Sequence, residues 1–153
     1  MPVEGDFLGE IERSSTLDAA LTCIMKQLGA DSGTIHLMGD DGVLHLKAAS
    51  AGIPAFVLET VKRVPVGKGM AGLAVERKQP VSACNIQTDT SGDVRPGARA
   101  TGLQGSLVVP ILRGDVAVGA LGVANQRERT FTDEETTLLL EAGRLLVRLT
   151  REP

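Results

Sequence analysis

The chain has 153 residues, enough for one domain with a real core and cramped for two. Hydrophobic residues make up 42% and charged residues 23%, the balance of a globular chain rather than a disordered one. A net charge of -3, no Trp or Tyr and three Phe argue against a nucleic-acid partner and against an anionic membrane surface, because both a basic excess and a stacking platform are missing.

Residues 1–14 read as an N-terminal extension in which Phe7 to Arg13 can form a short amphipathic helix. The acidic start, Met1-Pro2-Val3-Glu4-Gly5-Asp6, lacks the apolar stretch of a signal peptide. No run approaches the length of a membrane span, so a cytoplasmic location is the default expectation. Two cysteines, Cys23 and Cys84, are too few for a disulfide scaffold or a cysteine zinc site.

One domain is expected over residues 15–150, followed by a tail at 151–153. Ser15 is placed to cap a first helix, with Asp18 three residues on. Leu17, Leu21, Ile24, Met25 and Leu28 repeat at helical spacing, and Gly29 is placed to end that helix. Ser32 to Met38 and Val43 to Ser50 read as strands of a hairpin around Gly39-Asp40-Asp41-Gly42. Pro54 to Arg63 reads as a short helix with Pro54 in its first turn. Val66 to Ala74 is a glycine turn running into another short helix. Pro80 to Cys84 reads as a strand, and Asn85 to Gln104 as a long polar loop, a feature that compact domains usually reserve for function or mobility. Ser106 to Leu112 and Val116 to Ala124 are two further strands joined at Arg113-Gly114-Asp115. Gly119 and Gly122 inside the second mark a close approach or room for a ligand. Thr132-Asp133-Glu134-Glu135 is a capping box opening a helix that runs to about Arg151.

On that helix Leu138, Ala142, Leu145 and Leu149 form one stripe, flanked by Leu139 and Leu146, with Leu140 and Val147 almost behind it. A helix resting on a sheet needs about one apolar face, so this one has a surplus. Either a homodimer through bundled helices, with Cys23, Leu140 and Val147 at its interface, or the Phe7 to Arg13 helix of the same chain would use it.

In order and spacing, three motifs resemble the GAF domain family over roughly Ser15 to Leu149. They are Val66-Gly67-Lys68-Gly69-Met70-Ala71-Gly72 followed by Gln79-Pro80-Val81; Gly105 to Ile111 leading into Val118-Gly119-Ala120-Leu121-Gly122-Val123; and Phe131-Thr132-Asp133-Glu134-Glu135. The resemblance implies an α+β fold with a central antiparallel sheet of five to six strands. It places the N- and C-terminal helices on one face and a ligand pocket on the other, covered by the short helices and the long loop. It also implies a regulatory module, often dimeric.

Gly67-x-Gly69-x-x-Gly72 lacks the parallel βαβ setting of a dinucleotide site and reads as a turn needing positive φ. Cys84 lacks the neighbours that would attach a bilin, and neither bilin nor haem is expected. The free methionine sulfoxide reductases of the same family use several cysteines, of which only Cys84 has a counterpart here. Asn125-Gln126 and Phe131 to Glu134 depart from the cyclic-nucleotide signature. In a four-residue hairpin loop Met38 would face Val43 and His36 would face His45, leaving Ile35, Leu37, Leu44 and Leu46 on the opposite, core face. That pair would be a weak metal or pH-sensing candidate. Cys84, Asn85, Asp89, Arg95, Arg99 and Ser106 are the candidate ligand contacts, the arginines as charged forks for a carboxylate or phosphate. The expectation is a non-catalytic sensor of an unidentified small molecule, signalling through its terminal helices to a separate partner protein or domain. A small redox enzyme built on Cys84 and a ligand-free dimerisation module are the alternatives.

Overall fold

The computed structural model describes residues 3–88 and 102–149. Helix α1 (Val3–Arg13) precedes α2 (Leu17–Leu28), and the hairpin β1 (Ser32–Met38) and β2 (Val43–Ala49) follows. Then come α3 (Ala55–Thr60), β3 (Arg63–Pro65), α4 (Gly69–Arg77) and β4 (Val81–Ala83). The chain closes with β5 (Gly105–Arg113), β6 (Val116–Asn125) and α5 (Asp133–Leu146), which tightens into a 3-10 turn at Val147–Leu149. All neighbouring strands are antiparallel, in the order β3-β2-β1-β6-β5-β4. The α+β plan expected from the sequence is therefore present, with six strands.

Strand alternation divides the core between the two faces of this sheet. Ile35, Leu37, Leu107, Val109, Ile111, Leu121 and Val123 meet α1, α2 and α5 in one cluster, which Phe7, Leu21, Ile24, Leu139 and Leu146 complete. Leu44, Val64, Val108 and Ala120 meet Ala74 and Val75 of α4 in a second. Strand β5 is buried from Gly105 to Ile111, as a strand covered on both faces must be.

Four local readings are corrected. The cap of α2 is Thr16, whose hydroxyl accepts from the Ala19 N–H, and not Ser15. Arg63, assigned above to the end of a helix, instead opens β3 (Arg63–Pro65), which pairs with β2. On α5 the inward stripe is Leu139, Ala142, Gly143 and Leu146, one residue away from the stripe centred on Leu138 and Leu145. Gly143 explains the offset: a Cβ there would already sit 3.6 Å from Ile111, so the helix approaches β5 along that line. The fourth concerns the hairpin. The Gly39 N–H donates to the Val43 carbonyl, which leaves a three-residue loop closed by Gly42 at φ 76. The register moves by one, so His36 faces Leu46, His45 faces Leu37, and Met38 faces Leu44. The two histidines are not opposed, and Leu44 packs on the face away from Ile35 and Leu37.

The capping box at Thr132 and Glu135 forms as read, with both reciprocal bonds present. Gly67 and Gly69 both adopt positive φ, while a Cβ on Gly72 would meet the Pro65 carbonyl at 2.3 Å. The glycine motif is thus a turn and a close backbone approach. Among the described residues no helix is long and apolar enough to cross a membrane.

Candidate functional site

The side of the sheet away from the terminal helices holds a cavity of about 280 Å³. Its floor comes from β1, β5 and β6, and its walls from α3, β3, the start of α4 and the residues flanking the long loop. The wall is apolar for the most part: Ile53, Val57, Val61, Val64, Met70, Ile86, Leu103 and Val108. Ser32, Thr34, His36, Thr60 and Ser106 are the polar side chains on it, and none of the described lining residues carries a formal charge at neutral pH. Gly122 keeps the floor open, since a Cβ there would reach Val108 Cγ2 at 3.2 Å and Thr34 Oγ1 at 3.5 Å.

His36 is the unusual member of the wall. Alternation along β1 turns it away from the helix layer, and only 4% of it is exposed. Its Nε2 lies 2.8 Å from the Val61 carbonyl. A carbonyl only accepts, so Nε2 carries the proton and the tautomer is set. Burial pushes the imidazole below its usual value, against the smaller opposing pull of the Val61 carbonyl, so the ring is neutral at pH 7.

The hydroxyls on the wall are already committed in part. Thr60 Oγ1 donates to the Phe56 carbonyl at 2.9 Å, and Ser106 Oγ to the Val123 carbonyl at 3.4 Å. Ser32 Oγ lies 3.3 Å from Ser50 Oγ, which also accepts from the Gly33 N–H.

Of the ligand contacts expected from the sequence, Ser106 lies on the cavity wall and is buried. Cys84 is exposed at the end of β4 and is not among the residues lining the cavity. Asn85 donates to Glu128 at 2.7 Å and accepts from the Gln87 N–H, which gives it a loop-anchoring position outside the wall. Asp89, Arg95 and Arg99 lie outside the described residues. His45 bonds Asp41 at 2.9 Å at the hairpin tip, and that bond holds the Asp41 carboxyl below the usual carboxylate range. Among the described residues no group of three His, Cys, Asp or Glu side chains could hold a metal ion.

The helix layer carries two polar fastenings. Arg129 donates to Asn125 at 2.8 Å and to Glu135 at 2.7 Å, with its guanidinium 4.3 Å above the Phe131 ring. Asn125 in turn donates to the Gly29 carbonyl at 2.8 Å, so the end of β6 ties the end of α2 to the start of α5. Burial raises the Glu135 carboxyl, but the Thr132 N–H and Arg129 outweigh it and hold the group ionised. At the other end, Arg148 donates to the Ile11 and Ser14 carbonyls at 2.6 and 2.8 Å and to that of Glu12. One side chain thereby caps α1 from the end of α5. Cys23 lies on α2 with Sγ 3.5 Å from Glu10 Oε1 of α1, and Leu140 and Val147 are half-buried against the main core.

Sequence reasoning passed over His36 as a cavity group, and over the Asn125 and Arg148 fastenings. The signal for the first was the alternation of β1, which sets His36 opposite Ile35 and Leu37. The second and third join residues about a hundred positions apart and leave no local signal.

A comparison with curated proteins finds no match. Among solved structures, the GAF domain of an Acinetobacter phosphoenolpyruvate-protein phosphotransferase superposes with a TM-score of 0.77 at 20% identity, covering 95% of this chain and 89% of that one. The free methionine-R-sulfoxide reductase of Neisseria meningitidis, solved with its substrate, gives 0.76 at 16% identity, with 95% and 84% covered. The Staphylococcus aureus reductase of that type, in its reduced form, gives 0.70 at 18%, with 97% and 92% covered. These likenesses concern the fold. The family model for the GAF domain matches residues 10–148, nearly the whole chain, and the chain belongs to that family.

Proposed function

We propose that the chain is a non-catalytic regulatory module that binds a small molecule in the cavity between the sheet and α3–α4 and reports it through the terminal helices. The observation that carries this reading is the wall itself. It is concave, mostly apolar and equipped with a few convergent polar groups, the composition of a binding site. No thiol lies on it. A route to the helices exists in β5 and β6, where Val108 and Gly122 face the cavity while Val109, Ile111 and Leu121 support α5 and α2. A homodimer formed through the helix layer, with Cys23, Leu140 and Val147 near its interface, belongs to the same proposal.

Native mass spectrometry of the purified protein tests it by reporting a bound small molecule and the dimer mass together. A monomer that stays empty through a metabolite screen would refute it.

The likeness to free methionine sulfoxide reductases supports a second reading, reduction of that substrate by the Cys84 thiol. Two placements weigh against it. Cys84 is outside the cavity, and Cys23 lies in the helix layer on the other side of the sheet. Turnover of free methionine-R-sulfoxide that disappears in Cys84→Ser would replace the sensor reading with this one. A domain that dimerises with nothing bound would support the purely structural alternative.

A further inference from the structure

We propose that the cavity selects an uncharged, largely apolar small molecule carrying a hydrogen-bond donor, and that Nδ1 of His36 is the atom that receives that donor. This rests on the cavity being the ligand site.

The argument starts from the tautomer. Nε2 must hold the proton because its partner is the Val61 carbonyl. In the neutral ring Nδ1 is then a bare lone pair, and the ring is kept neutral by its burial. Among the described residues Nδ1 makes no hydrogen bond, although His36 is 96% buried by its 4% exposure. It is also not sealed off, because no fully buried side-chain nitrogen or oxygen in the described protein lacks a partner. An acceptor that is neither bonded nor sealed, on a residue that lines the cavity, faces the space a ligand would fill.

The rest of the wall points the same way. Thr60 and Ser106 give their protons to backbone carbonyls, so what they have left to offer is lone pairs. Thr34 makes no hydrogen bond among the described residues and can serve in either sense. A ligand that brings acceptors alone would leave the His36 lone pair buried and unmatched, at a cost that neutral donors avoid. A charged ligand would give up its hydration with no opposite charge among the described lining residues to replace it. Size sets the last limit. Apolar cavities of about 150 Å³ hold one benzene ring, so 280 Å³ suits a body of one to two rings or its aliphatic equivalent.

Indole and benzofuran are a suitable probe pair, being similar in shape and differing in whether the ring heteroatom donates or only accepts. The protein, with ¹⁵N-labelled histidine, is titrated with each at pH 7.5 and followed by long-range ¹H–¹⁵N correlation. The free protein is expected to show His36 protonated on Nε2 alone. Indole should shift the Nδ1 resonance toward hydrogen-bonded values while Nε2 holds still, and should bind about tenfold more tightly than benzofuran. Two results overturn the inference while leaving the cavity reading intact: equal binding of both probes at the cavity, or a His36 ring protonated on Nδ1. If neither probe disturbs any resonance of the cavity wall, the cavity reading falls and this inference falls with it.

Discussion

Replacing Asn125 with Ala should remove the fastening between α2, β6 and α5. Asn125 is 1% exposed, so its truncation leaves a gap inside the protein. Its amide donates to the Gly29 carbonyl at 2.8 Å, a bond between neutral groups worth about 1 kcal/mol net. Its carbonyl receives the Arg129 guanidinium at 2.8 Å, a charged bond worth about 1.5–3 kcal/mol. The further contact to Asp31 at 3.3 Å is long and adds little. The expected loss is therefore about 3 kcal/mol, a large share of the 5–15 kcal/mol that typically holds a domain together. Urea unfolding followed by circular dichroism should show a lower midpoint with an unchanged slope, and Tm should fall by roughly 10 °C. The same loss should shrink when Arg129→Ala is already present, because the two changes share a bond. A loss under about 1 kcal/mol, or strict additivity with Arg129→Ala, would show that the cluster does not fasten these elements.

Three further outcomes follow from the geometry. Burial depresses the His36 pKa from its usual 6.5, so below that pH the unfolded chain binds a proton that the folded protein resists. Stability should be full above about 6.5 and decline as pH falls toward the depressed folded value, by up to about 1.4 kcal/mol per pH unit. Urea titrations between pH 7.5 and 5 should show this slope and His36→Gln should lose it, since the depressed carboxyls of Asp31, Asp41 and Glu135 act only in a more acid window. Gly119→Ala should destabilise by about 3 kcal/mol or more, because a Cβ there falls 2.3 Å from the His36 carbonyl oxygen, whereas Gly122→Ala, against a movable Val108 methyl, should cost about 1 kcal/mol by thermal melting. Arg148→Ala should leave the carbonyls of Ile11, Glu12 and Ser14 at the end of α1 without their shared donor, and hydrogen exchange should quicken in α1 well before β5 or β6 is affected.

Much of this fold could be read from local patterns, for reasons that are themselves local. A capping box and a glycine turn each settle their own backbone groups within a few positions, as Thr132 and Gly67 do. The misses share the opposite property. Whether a hairpin loop holds three or four residues turns on the conformation at Gly42, and that choice decides which face of the sheet Leu44 and His45 occupy. Arg63–Pro65 is too short to show a period, and it becomes a strand only because β2 offers it an edge. Ser106 was placed on the site because its strand was recognised. The roles of Cys84 and Asn85 turned on how one strand end departs from the sheet, which no spacing records.

The double-sided burial of β5 has a consequence for the proposed ligand site. Neighbouring residues of that strand face opposite layers: Val108 lines the cavity, and Val109 packs under the helices. If the cavity is the ligand site, a floor substitution that reshapes it also bears on the packing of α2 and α5. The α3–α4 wall carries no such second duty, because its outer side faces away from the helix layer. On the proposed reading, changes of ligand preference are expected first at Val57, Thr60, Met70 and Ala71, which line the cavity without joining the core under the helices.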